Sequence, residues 1–165
     1  MKKAIYYPGL GSGVEPGMTQ ILKYFGYKLR QKELDYYDIW DEDKGKTFME
    51  KEFDNAKDAD LIVGISFGGY VAYHVAKATG KKCILINPAL DRKKTKTGIY
   101  DFDMDYEPKK FPLNVYISRY DEVVPPKYTT DYIKDNAVDC KVYFIDDMGH
   151  GSSYEHIVEI LKHAK

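Results

Sequence analysis

The chain predicts an α/β protein: a three-layer α/β/α, doubly wound, mostly parallel six-stranded sheet. Three observations carry that expectation. Short apolar runs recur along the chain, amphipathic patterns separate them, and the middle runs are nearly continuous in Val, Ile and Leu. Such runs fit strands buried on both faces of a parallel sheet.

The strand-like runs are KAIYY (3–7), YKLRQKEL (27–34), DLIVGI (60–65), KKCILIN (81–87), LNVYIS (113–118) and KVYFID (141–146). Between them, Met18, Ile21, Leu22 and Phe25 repeat at helical spacing and stop at Gly26. Phe48, Met49, Phe53 and Ala56 define a second helix on a strongly charged segment. Val71, Ala72, Val75 and Ala76 define a third, with Gly80 as its stop. Tyr128, Tyr132 and Ile133 outline a helix after Pro125 and Pro126. The last helix opens with Ser152 and Glu155 as a capping-box pair and runs apolar through Ile157, Ile160 and Leu161.

At 165 residues the chain suits one domain, residues 1–165, with a substantial core. Its 44% hydrophobic and 31% charged content is that of an ordinary globular protein. A formal charge of −1 provides no electrostatic footprint for nucleic acid or a membrane surface. The start, MKKAIYYPG, is too short an apolar run for a signal peptide or a spanning helix, so the expectation is a cytoplasmic protein without membrane insertion. Cys83 and Cys140 lack metal-ligand spacing and read as reduced, partly buried thiols; no metal site is expected. Sixteen tyrosines suit half-buried faces and pocket walls but name no ligand. Oligomeric state is left open.

In doubly wound sheets ligands bind beyond the carboxyl ends of the strands, so the residues after each strand are the informative ones. After the third strand comes GISFGG, in which Gly64, Ser66 and Gly68 match G-x-S-x-G between an apolar strand and an amphipathic helix. That context turns a strand sharply into a helix with Ser66 at the apex, where small neighbours are required. Beyond the fifth strand lies Asp121, and beyond the sixth lies His150 in a short glycine-flanked loop. A serine nucleophile needs a base to take its proton, and the base needs a carboxylate to fix its tautomer. Ser66, Asp121 and His150 are therefore the candidate catalytic residues.

Rivals read otherwise. His74, His156 and His163 fit packing or surface positions, and Asp91, after the fourth strand, is the reserve acid. Asp146 and Asp147 fit loop or strand-end roles, and Ser12 and Ser118 are generic. The segment 90–112 is long, polar and without clear periodicity, which makes it a candidate lid with Tyr100 and Phe102 as candidate substrate-binding residues. Its basic run Arg92, Lys93, Lys94 and Lys96 reads as a solvated face.

The glycine loop GLGSGVEPG (9–17) raises the question of phosphate binding. A dinucleotide fingerprint starting at Gly9 needs glycine where Val14 stands, and one starting at Gly11 needs it at Pro16. A phosphate-binding P-loop needs Gly-Lys-Ser/Thr, yet Gly17 precedes Met18. The fitting alternative is an oxyanion hole. The residue after the nucleophile, Phe67, contributes one N–H and the loop after the first strand the other, assigned to Leu10. Preorganised donors of this kind supply about 3–4 kcal/mol each to the transition state.

These residues resemble the α/β-hydrolase superfamily, and in particular the small bacterial YqiA-like esterases. YYPGLGSG is similar to the family's histidine-glycine oxyanion loop, GISFGG to its elbow, INPAL (86–90) to its post-strand turn, YDEVVP to its acid loop and MGHG to its histidine loop. The resemblance implies a minimal α/β-hydrolase fold that hydrolyses a small-molecule carboxylic ester or thioester through an acyl-enzyme, without a cofactor. Pro8 departs from the pattern, standing where relatives usually have histidine. The extra antiparallel strands of larger hydrolases are missing, which implies a shallow pocket. The competing expectations are a catalytically inactive small-molecule or protein-binding module on the same fold, and a flavodoxin-like nucleotide binder.

Overall fold

A computed structural model describes residues 1–13, 16–30, 34, 36, 41–95 and 105–165. Six parallel strands form one sheet in the order β2-β1-β3-β4-β5-β6. They are β1 (Lys2–Tyr7), β2 (Tyr27–Leu29), β3 (Leu61–Ile65), β4 (Cys83–Ile86), β5 (Leu113–Ser118) and β6 (Lys141–Ile145). The helices are α1 (Pro16–Tyr24), α2 (Glu42–Asn55), α3 (Phe67–Thr79), α4 (Arg92–Thr95), α5 (Pro126–Asp135) and α6 (Tyr154–His163).

The period-two alternation of strand side chains divides the core between the two faces. From β1, Ile5 and Tyr7 join Ile62, Leu85 and Val115 against α2 and α3, with Tyr132 and Ile133 of α5 packed alongside. Ala4 and Tyr6 point the other way, with Leu61, Val63, Ile84 and Ile86, against Met18 and Leu22 of α1 and Ile157, Ile160 and Leu161 of α6. The predicted three layers follow from this division, and all six strands are parallel. Among the described residues, no helix is long and apolar enough to cross a membrane.

Strand order reverses beside β1. The chain leaves β1 for α1 on one face and leaves β3 for α3 on the other, so a crevice opens between the carboxyl ends of these adjacent strands. That is where doubly wound sheets bind ligands.

Several elements differ from the sequence reading. Of the expected second strand over 27–34, Tyr27–Leu29 pair with Lys2–Ala4, and residues 31–33 lie outside the described residues. As an edge strand it has a single ladder partner among the described residues, and Arg30 N donates to Ala4 O at 2.9 Å. The cap of α6 is Ser153 rather than Ser152. Ser153 Oγ accepts from His156 N at 3.2 Å, and Ser153 N donates to His156 Nδ1 at 3.4 Å, so a ring nitrogen takes the part expected of Glu155. Arg92 does not share the solvated face of its neighbours: it is 6% exposed, its guanidinium 4.8 Å from the Phe67 ring centroid and 5.1 Å from that of Tyr70. Gly80 stops α3 as expected, at φ 75°, its N–H bonded to Ala76 O.

Two expectations follow from this packing. His74 on α3 lies between Tyr70 and Tyr106, 2.9 Å from the Tyr106 hydroxyl, and desolvation with the nearby Lys77 charge pushes its pKa down from 6.5 to about 3. A depressed folded-state pKa contributes stability that is present above about pH 6.5 and is lost as pH falls toward 3. His74→Phe will therefore show a smaller drop in urea midpoint between pH 7 and pH 5 than the parent. The second expectation concerns Gly68, where an added Cβ would overlap the carbonyl oxygens of Tyr7 and Pro8. These are backbone atoms without rotamer freedom. Gly68→Ala will cost about 2–3 kcal/mol of stability, read from urea unfolding.

Candidate active site

Ser66 occupies the turn between β3 and α3 at φ 54°, ψ −121°, a conformation L-residues avoid. The turn is possible because its neighbours lack side chains. A Cβ on Gly64 would overlap Gly68 O and Ala72 Cβ, and one on Gly68 would strike the end of β1. The serine is thereby held above the sheet at the start of α3.

His150 arrives from the loop between β6 and α6. Its Nε2 lies 2.9 Å from Ser66 Oγ and its Nδ1 lies 2.7 Å from Asp121 Oδ2. An ionised carboxylate only accepts, so in neutral His150 Nδ1 carries the proton and Nε2 turns its lone pair toward the serine hydroxyl. Asp121 is 5% exposed, and its second oxygen is occupied: Oδ1 accepts from the N–H groups of Val123 and Val124, both at 2.9 Å. Only Oδ2 is left for the imidazole, which fixes the ring's direction.

The histidine loop has a further support that the sequence reading missed. Asn87, immediately after β4, is 2% exposed and holds φ 44°. Its Nδ2 donates to the carbonyls of Gly149 and His150, each at 3.0 Å, and its Oδ1 accepts from Ser118 N at 2.8 Å. One side chain thus ties the ends of β4 and β5 to the loop carrying the base. The available signal was an asparagine, tolerant of positive φ, at a strand's carboxyl end.

The loop after β1 runs beside Ser66: a Cβ on Gly9 would sit 3.6 Å from that of Ser66. Ser12 N donates to Gly9 O at 3.2 Å, closing a turn in which Gly11 takes φ 73°. Leu10 stands at this turn and is 37% exposed. Phe67 is the first residue of α3, where backbone N–H groups have no intrahelical acceptor and the helix dipole favours negative charge. Gly9, Leu10, Ser66, Phe67 and His150 line one cleft of about 450 Å³, whose apolar wall includes Met18, Val124 and Ile157.

The remaining candidates sit elsewhere. Asp91 Oδ1 accepts from Lys93 N and Lys94 N at the start of α4, a helix cap in place of a reserve acid. His74 packs among tyrosines, His156 caps α6, and His163 Nδ1 meets the Tyr116 hydroxyl at 2.8 Å. Asp146 pairs with Arg119 at 2.6 Å. Tyr100 and Phe102, with residues 96–104 of the candidate lid, lie outside the described residues.

Solved structures share this architecture. The ydeN gene product of B. subtilis superposes with a TM-score of 0.73 at 12% identity, over 99% of this chain and 98% of that one. Est1E from Butyrivibrio proteoclasticus gives 0.70 at 20% identity, over 98% and 86%. A protein of Xanthomonas campestris described as an a/b serine hydrolase without lid gives 0.64 at 20% identity, over 98% and 79%. The fold is that of the α/β hydrolases. No curated protein sequence matches the chain significantly. The model of the uncharacterised protein family UPF0227 matches residues 47–143, a stretch from α2 into β6 that holds both Ser66 and Asp121. Because that match spans more than half of its length, the chain belongs to the UPF0227 family.

Proposed function

We propose that this protein is a serine hydrolase that cleaves a carboxylic ester or thioester through an acyl-enzyme. One observation carries the reading: the continuous hydrogen-bonded series Ser66–His150–Asp121, at 2.9 and 2.7 Å, opening into a largely apolar cleft at the crevice beside β1. The likeness in fold to a serine hydrolase and an Est1E protein supports it.

In the first half-reaction His150 Nε2 takes the Ser66 hydroxyl proton as Oγ bonds to the acyl carbon, and the carbonyl electron pair moves onto oxygen. The N–H groups of Leu10 and Phe67 hold that oxyanion. Asp121 keeps the imidazole in its productive tautomer and stabilises the imidazolium that forms. Collapse expels the alcohol or thiol, which leaves with the proton from Nε2, and Ser66 is acylated. Water then gives a proton to His150 while its oxygen attacks the acyl carbon. The second collapse breaks the bond to Oγ, which takes the proton back from Nε2 as the carboxylic acid is released. The substrate is a small molecule whose acyl or alcohol group lies against Met18, Val124 and Ile157.

Turnover of a p-nitrophenyl acyl ester tests the reading. Ser66→Ala and His150→Ala will each lower kcat/KM by roughly 10³-fold or more, and the double variant will be little worse than either single one, because the two groups act as a unit. Asp121→Asn will cost roughly 10²–10⁴-fold through loss of the correct tautomer. A fluorophosphonate probe will label Ser66 in the parent and not in His150→Ala. An unlabelled parent would favour the inactive binding module on this fold.

A further inference from the structure

Tyr36 touches both sides of the crevice that holds Ser66. Its hydroxyl donates to Pro8 O at 2.7 Å, and its ring meets the Phe67 ring edge-on, with centroids 5.1 Å apart and planes at 89°. The tyrosine is itself buried, 7% exposed. Pro8 directly follows β1, and its carbonyl also faces the Gly68 backbone so closely that no Cβ fits between them. A planar peptide joins the Pro8 carbonyl to Gly9 N, so the direction of that carbonyl sets the plane from which the chain continues to Leu10. On the other side, the Phe67 ring is bounded by Tyr36, by Tyr70 stacked at 5.9 Å, and by the Arg92 guanidinium.

We propose that Tyr36 is a positioning residue for the oxyanion hole, setting the separation between the Leu10 and Phe67 N–H groups. The inference rests on the hydrolase reading above. Tyr36 does not meet the substrate; it acts through Pro8 and Phe67. Negative charge gathers on the substrate oxygen only as Ser66 adds to the carbonyl carbon, so donors displaced by a few tenths of an ångström penalise the tetrahedral state more than the bound ester. Loss of the Tyr36 hydroxyl therefore acts on kcat and leaves KM nearly as it was. A hydroxyl reaching in from a distant segment also gives the Pro8 carbonyl a fixed partner in a loop rich in glycine.

The test compares Tyr36→Phe with Tyr116→Phe, which removes a tyrosine hydroxyl bonded to His163 in the opposite core. Steady-state kinetics on a p-nitrophenyl ester are read beside the Ki of a trifluoromethyl ketone, which adds Ser66 to form a tetrahedral oxyanion. Tyr36→Phe will lower kcat about tenfold with KM within twofold, and the ketone Ki will rise by the same factor as kcat/KM falls. Tyr116→Phe will change the unfolding midpoint while leaving both kcat/KM and the ketone Ki within twofold of the parent. Unchanged kinetics in Tyr36→Phe, or a fall in kcat/KM with an unchanged ketone Ki, overturns the role of Tyr36 while Ser66-dependent turnover stands. Absence of any Ser66-dependent turnover in the parent overturns the hydrolase reading and this assignment with it. Should Tyr36→Phe fail to fold, Phe67→Leu removes the other ring of the contact and keeps the backbone N–H. Its ketone Ki must then rise as kcat/KM falls, or the assignment is overturned.

Discussion

The site depends on one close approach, that of the first turn of α3 to the end of β1. Gly68 lies so near the carbonyls of Tyr7 and Pro8 that nothing larger than hydrogen fits, and Gly64 stands under Gly68 for the same reason. These contacts are between backbones, which cannot relax by changing rotamer, so they set where Ser66 sits relative to the Gly9–Leu10 loop. β1 and β3 are adjacent, parallel and paired up to Tyr7, but send their helices to opposite faces, which leaves a crevice beyond their carboxyl ends beside this contact. Positive φ at Ser66 is the strain that this geometry concentrates on one residue.

Around that contact the polar groups are tied down. Asp121 spends one carboxylate oxygen on two backbone N–H groups and keeps the other for His150. Asn87 binds the carbonyls that flank the imidazole while accepting from Ser118 at the end of β5. The series of hydrogen bonds thus runs through β4, β5 and the loops after β5 and β6 before it reaches the serine. Asp121 and Asn87 are each held by backbone groups, Asp121 by the N–H groups of Val123 and Val124 and Asn87 by Ser118 N and the carbonyls of Gly149 and His150. A base oriented this way need not search for its geometry at each encounter with a substrate.

Much of this arrangement was legible because parallel sheets expose function at predictable places. Strand periodicity located the carboxyl ends, and Ser66, Asp121 and His150 each lay just beyond one, so their convergence followed from topology. The spacing of Gly9, Gly11 and Gly13 by itself fails the phosphate-binding motifs. What escaped was of another kind. Asn87 acts through a side chain that crosses to loops more than sixty residues away, and no local period marks it. Arg92 was hidden in a basic run, because four helical residues are too few to show which one turns inward. The α6 cap was misread by one position because a histidine ring nitrogen replaced the expected carboxylate. Tyr36 was lost among sixteen tyrosines, none distinguished by sequence alone.

Pro8 shows why such a site tolerates a changed side chain. On the hydrolase reading the oxyanion is met by main-chain N–H groups, and neither donor needs a particular residue beside it. Proline has no N–H of its own, yet its fixed φ restricts the turn and leaves its carbonyl free to be held. In this chain the constraint comes from elsewhere: the Tyr36 hydroxyl on one side of that carbonyl and the bare backbone of Gly68 on the other. Tyr7, one residue earlier, anchors the strand in the same way, its hydroxyl donating to Glu52 at 2.7 Å within the α2 face of the core. A histidine at position 8 would add a side chain to the loop, but the demand on this loop is backbone geometry. Residues outside the loop can meet that demand, provided they are buried and their polar ends have partners.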